Sequence, residues 1–318
     1  MWPQTSGFGE QPADVEFRGS GGGHPVLDSG TIEVMAGSTT DSDFHLLTIQ
    51  RDRGVAFVTI DAPPINLMTP ALFRELAKCS EMLADDDNVR VVVLRSDNPD
   101  FFIAHFDVEA ILKFPTEGPA VRPTKIEGFH GMCERFRLMP KPTIAEISGR
   151  VGGGGSELAM SCDMRFGAAE TMVVNQMEVP LGILPGGTGT QRLPRLVGRG
   201  RAMEIILGAV DIDAPTAEAW GYLNRSMPAS ELRPFVNQLA YRIASFPALA
   251  VALAKEAVNN ADTLPLQDGM AEEQYLFQQL LRDPSAPAAM RSFLEQGGQT
   301  RDGEMEIETL TGTIAKPR

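Results

Sequence analysis

The spacing of apolar residues changes along this chain, and each change predicts an element. His45 to Arg51 and Val55 to Ile60 alternate or cluster apolar positions, which predicts a β-hairpin turning at Arg51-Asp52-Arg53-Gly54. Thr69 offers a capping hydroxyl and Pro70 suits the first helical position. Leu72, Leu76, Cys79 and Leu83 follow at helical spacing, so an amphipathic helix is expected over 70–85. Val91 to Leu94 form a short continuous apolar run, the mark of a strand buried on both faces. A second helix is expected over roughly 125–138, stopped by Pro140 and Pro142, and a further buried strand over Thr143–Ile147. A glycine run then leads into a helix expected from Ser156.

Strands alternating with helices predict an α/β architecture. Beyond residue 198 strand signals fade. Gly200–Leu207, Pro215–Tyr222, Ser230–Ser245, Pro247–Asn259 and Leu266–Leu281 read as helices. The chain therefore divides into a Gly-, Ser-, Asp- and Thr-rich tail over 1–43, expected to be flexible, an α/β core over 44–198 and a helical region over 199–318. The apolar faces of that last region need partners from the core or from another subunit.

Composition narrows the function classes. The 43% hydrophobic and 22% charged residues suit a globular chain with a sizeable core, and no apolar run is long enough to span a bilayer. A net charge of −14 argues against a generic nucleic-acid face. Cys79, Cys133 and Cys162 are widely spaced, and His24, His45, His105 and His130 show no metal-ligand spacing. No disulfide framework and no metal are expected, and a reducing cytoplasm is the simplest setting.

Gly149-Arg150-Val151-Gly152-Gly153-Gly154-Gly155-Ser156-Glu157 is the segment richest in chemistry. Backbone without Cβ atoms admits another molecule close to its N–H groups, and a helix start adds unpaired N–H donors and a positive dipole end. A developing oxyanion would be stabilised there, with the Glu157 carboxylate expected in the first helical turn. The glycines of Pro185–Thr190 read as a tight turn, because a nucleotide-binding GxxxxGK[ST] pattern is absent. Asp163 reads as a structural acid, and Met172 and Met177 read as packing.

Several motifs in order carry a family resemblance. They are Ala62-Pro63-Pro64-Ile65-Asn66-Leu67-Met68, Phe102-Ile103-Ala104-His105-Phe106-Asp107-Val108, the segment Gly149–Asp163, and Asn175-Gln176-Met177-Glu178 followed by Leu181–Leu193. From about 45 to 295 the chain resembles the enoyl-CoA hydratase/isomerase superfamily, the crotonase fold. The resemblance implies a spiral of ββα repeats with a trailing helical region, and assembly as a homotrimer or homohexamer. It further implies an acyl thioester of coenzyme A as substrate, within fatty acid metabolism. No cofactor is implied beyond the coenzyme A that belongs to the substrate, and no nucleic acid or membrane partner.

Residue by residue, the resemblance makes the backbone N–H groups of Phe106 and Gly154 the oxyanion hole and Glu157 and Glu178 the catalytic pair. Substrate contacts fall to Ile65, Ala104, His105, Asp107 and Gly153. Syn hydration of a 2-enoyl thioester is the expected reaction, with double-bond isomerisation or another acyl-CoA hydrolase or lyase activity as the enzymatic alternative. An acyl-CoA-binding scaffold subunit is the alternative without turnover. His105 and Phe106 stand where the family has a glycine and a small residue, so the Phe106 ring is expected to narrow or reshape the acyl pocket. Met177 replaces a common proline, and Phe293–Gly297 lacks a basic residue that many members carry.

Overall fold

The computed structural model describes residues 43–314; the tail over 1–43 lies outside them except for Asp43. A hairpin opens the fold. Strand β1 (Leu47–Asp52) pairs antiparallel with β2 (Val55–Ile60), in register from Leu47 opposite Ile60 to Asp52 opposite Val55. The edge strand β1 alternates buried and exposed side chains at its start, whereas β2 is buried throughout, as is β3 (Val91–Ser96). That contrast follows from position: inner strands of a sheet covered on both faces have no solvent side to fill with polar residues.

The winding becomes clear from which sheet each strand joins. A six-stranded sheet runs β1-β2-β3-β5-β7-β10 and a four-stranded sheet runs β4-β6-β8-β9. The members are β4 (Phe101–Ile103), β5 (Thr143–Ile147), β6 (Arg150–Gly152), β7 (Met164–Ala168), β8 (Val173–Asn175), β9 (Ile212–Asp213) and β10 (Arg225–Met227). Each consecutive pair, β3/β4, β5/β6 and β7/β8, gives its first strand to the large sheet and its second to the small one. Like strands of successive pairs then stack in parallel. This is the expected spiral of repeats.

Helix α1 (Pro70–Asp85) starts as expected, with the Thr69 hydroxyl accepting from Leu72 N at 3.2 Å and Leu72, Leu76, Cys79 and Leu83 buried. With α3 (Gly128–Leu138) and α4 (Gly153–Ser161) it closes the core between the sheets. The other face of the large sheet is covered by α8 (Ala229–Ala244) through Leu232, Val236 and Ala240. The three cysteines are free and buried. Asp163 is structural: its Oδ2 accepts from Thr143 N at 2.7 Å and pairs with Lys255 Nζ at 2.8 Å.

Two expectations are corrected. Strands do not end at residue 198, because β9 and β10 extend the small and large sheets. At two and three residues they are too short to show a period. The helix expected from Ser156 begins at Gly153, with Gly152 as its N-cap. Glu157 therefore lies in the second turn of α4, beyond the first-turn position expected for it.

After α8 come α9 (Ala248–Asn260), α10 (Leu266–Arg282), α11 (Ser285–Glu295), α12 (Arg301–Met305) and α13 (Ile307–Ile314). Leu276 is the one fully buried side chain of these five helices among the described residues. Leu249, Val258, Leu266, Met270, Phe277 and Leu281 are exposed. No helix of the described residues is long and apolar enough to cross a membrane.

Candidate active site

The glycine run is needed because three segments crowd onto it. Gly153 has φ +45°, in the left-handed region, and a Cβ there would stand 3.0 Å from Glu178 Oε1 and 3.1 Å from the His105 Cβ. Gly154 follows at the second position of α4, where an N–H has no intrahelical acceptor and points out of the helix end. Its Cα faces Phe106: a Cβ on Gly154 would lie 3.2 Å from the Phe106 Cβ and 3.5 Å from Phe129 Cζ.

Phe106 is held by one parallel bridge to Met68. Met68 N donates to His105 O at 2.9 Å and Asp107 N donates to Met68 O at 3.1 Å. These bonds use the groups flanking Phe106, so its own N–H turns to the opposite side of the strand. The Phe106 and Gly154 backbones thus border one space.

Glu157 is 4% exposed, and its Oε1 accepts two backbone N–H groups, from Gly187 and Gly189, each at 2.7 Å. Gly189 is the first residue of α5 (Gly189–Val197), so the carboxylate sits at the positive end of a helix other than its own. Burial raises its pKa, and the two N–H bonds oppose that rise. The turn expected at Pro185–Thr190 is therefore what holds the Glu157 carboxylate. A Cβ on Gly187 would collide with Glu157 Oε2 and with the Phe129 ring.

Between the two glycines Thr188 has φ +119°, strained for a β-branched residue. Its hydroxyl accepts from Arg192 Nε at 3.1 Å, and Arg192 pairs with Glu134, which also accepts from Arg137 Nη2 at 2.9 Å. This Glu134–Arg192–Thr188 chain was not singled out from the sequence. Its one local signal is the four-residue spacing of Thr188 and Arg192 on a helix start.

Glu178 follows β8 and caps a short 3-10 turn, Val179–Leu181. It is 8% exposed, and its Oε2 has no hydrogen-bond partner among the described residues. Burial, and next the charge of Glu157, push its pKa up to about 7. Glu157, Glu178, Phe106, Gly154 and Gly187 line one cavity of about 200 Å³.

The remaining expected contact residues do not line that cavity. Ile65 O accepts from Ala104 N at 3.3 Å, which ties the loop before α1 to the end of β4. The His105 ring nitrogen Nδ1 lies 2.9 Å from Phe106 O. The Asp107 carboxylate caps α2 (Val108–Ile111), accepting from Glu109 N at 2.9 Å. Its role in the fold is explained by that cap. Among the described residues no group of three or more His, Cys, Asp or Glu could hold a metal ion.

A wound pair of sheets with two buried carboxylates beside a glycine-rich helix start defines a crotonase-type enzyme. Comparison with known proteins agrees: the enoyl-CoA hydratase/isomerase family profile matches residues 50–301, and the chain belongs to that family. It is similar to the short-chain-enoyl-CoA hydratase of Clostridium acetobutylicum, 33% identical over 256 residues that cover 80% of this chain and 96% of that protein. Among solved structures it resembles an enoyl-CoA hydratase from Bacillus anthracis, with a TM-score of 0.73 and 28% identity, covering 79% of this chain and 97% of that one. Pseudomonas aeruginosa DspI matches with the same TM-score and identity, over 82% and 97%.

Proposed function

We propose that this enzyme adds water across the 2,3 double bond of an enoyl-CoA thioester, with Glu157 and Glu178 sharing the water and the N–H groups of Phe106 and Gly154 receiving the thioester oxygen. The observation that carries this reading is the pair of buried carboxylates lining one cavity with unlike surroundings.

The unlike surroundings suggest unlike roles. Burial raises the pKa of Glu157 as well, but two N–H bonds and a helix end oppose that rise there and not at Glu178, which suits Glu157 to be the base that takes a proton from water. Glu178, raised to about 7 and with Oε2 unpartnered, is suited to carry the proton delivered to the α-carbon. Water oxygen bonds to the β-carbon, the π electrons move toward the thioester, and negative charge collects on its oxygen. Donors fixed before reaction stabilise that enolate more than the ground state, each worth about 10²–10³ in rate. Protonation of the α-carbon then completes addition of one water.

The exposed apolar faces of α9 and α10 support assembly as a trimer or paired trimers, and three buried free thiols suit a reducing cytoplasm. Enoyl thioesters of coenzyme A are the substrate class. The test is hydration of crotonoyl-CoA, read as loss of enoyl thioester absorbance, by wild type, Glu157→Gln and Glu178→Gln. Full activity in both variants would overturn the assignment, and tight acyl-CoA binding without turnover in wild type would favour the scaffold alternative.

A further inference from the structure

The acyl end of the cavity is built from rings. Phe106 stacks edge-on against Phe129 with centroids 5.7 Å apart and planes at 85°. Phe114 tilts against the other side of Phe106 at 6.5 Å. Phe129 is braced in turn by Phe73 at 6.0 Å. Ile111, Ile183 and Leu184 complete the apolar lining, while the two glutamates are the acidic groups on the same cavity.

From this we infer that the site prefers a β-aryl acyl thioester, a phenylpropenoyl-type substrate, over an extended alkyl chain, with the Phe106 side chain as the specificity determinant. The inference rests on the hydratase reading and names its substrate class. Two observations lead to it. The first is size: the cavity is about 200 Å³, below the usual range for drug-sized ligands, whereas an apolar cavity of about 150 Å³ suffices to hold benzene. A benzene-sized ring beyond the reacting carbons fills such a space, whereas a long chain would have to run out through its open mouth. The second is geometry. A planar guest beside Phe106, Phe114 and Phe129 gains edge-to-face contacts that a flexible alkyl chain cannot make, and it loses less rotamer freedom on binding.

The experiment follows dehydration, the reverse of hydration at the same site, for 3-hydroxybutanoyl-CoA, 3-hydroxy-3-phenylpropanoyl-CoA and 3-hydroxydecanoyl-CoA. In wild type the phenyl substrate should exceed the decanoyl one at least tenfold in kcat/KM. Phe106→Ala should shrink that ratio at least tenfold, and Phe114→Ala, at an exposed position, should shrink it severalfold. A wild-type ratio of one or less overturns the inference, as does a ratio unchanged in both variants. Turnover of the butanoyl substrate without the phenyl one leaves the hydratase reading standing and sinks this inference alone. Where no thioester turns over, the hydratase reading fails. Titration with 3-phenylpropanoyl-CoA and decanoyl-CoA then decides the pocket: tenfold tighter binding of the phenyl thioester supports it, and equal or weaker binding overturns it.

Discussion

The segment that seats Glu157 and the segment that seats Glu178 meet at one cavity but are built by opposite rules. Glu157 springs from the second turn of α4, and its carboxylate is grasped by the backbone of a distant loop, Gly187–Gly189. Glu178 projects from the turn after β8 with one oxygen unpartnered. Burial raises the pKa of both acids; two N–H bonds oppose the rise at Glu157, whereas the charge of Glu157 adds to it at Glu178. An acid–base pair of the kind proposed needs unlike surroundings to hold unlike protonation preferences.

The strongest way to break the comparison is to remove the charges. Glu157→Gln and Glu178→Gln should each lower hydration of crotonoyl-CoA by about 10²–10⁴, the range for a positioned general acid or base. A comparable loss, about 10²-fold, is expected of Gly187→Ala. Its new Cβ displaces Glu157 and Phe129 together, so kcat should fall while far-ultraviolet circular dichroism is kept.

The pH profile sharpens the contrast next. With Glu178 required in its protonated form, kcat/KM should fall about tenfold per unit above a pH of about 7, and Glu178→Gln should lose that alkaline limb from its residual activity. Arg192→Met frees the Thr188 hydroxyl and should reduce kcat about tenfold with KM little changed, while Arg192→Lys recovers part of it. That rescue separates a positioning role from a general loss of fold.

The smallest expected effect is on stability, and its sign is specific. A carboxyl whose folded pKa is raised disfavours the folded state as pH climbs from its unfolded value, 4.5, through about 7. Glu178→Gln should therefore be more stable than wild type at pH 8, by about 1–3 kcal/mol, and the gain should fade as pH falls toward 4.5. Glu157→Ala strands two buried N–H groups and should cost about 1–3 kcal/mol near pH 4.5, a cost that shrinks toward pH 8 because burial also raises the Glu157 pKa. Urea midpoints at the two pH values check both.

Local pattern alone determined the elements whose own residues carry the signal. The hairpin, α1 with its Thr69 cap, and the inner strands β3 and β5 are legible because burial on both faces or one helical stripe leaves a repeat in the chain. Glu157, Glu178, Gly154 and Phe106, which line one cavity, were singled out through ordered motifs. Strands of two or three residues such as β6, β8 and β9 are too short to leave a period, and their pairing partners lie tens of residues away. Only the tertiary structure decided that Gly187 and the first residue of α5 present their N–H groups to Glu157, that Arg192 holds Thr188, and that Phe129 and Phe114 close on Phe106. Each is a contact between segments remote in the chain, and its energy depends on a distance that sequence spacing does not encode.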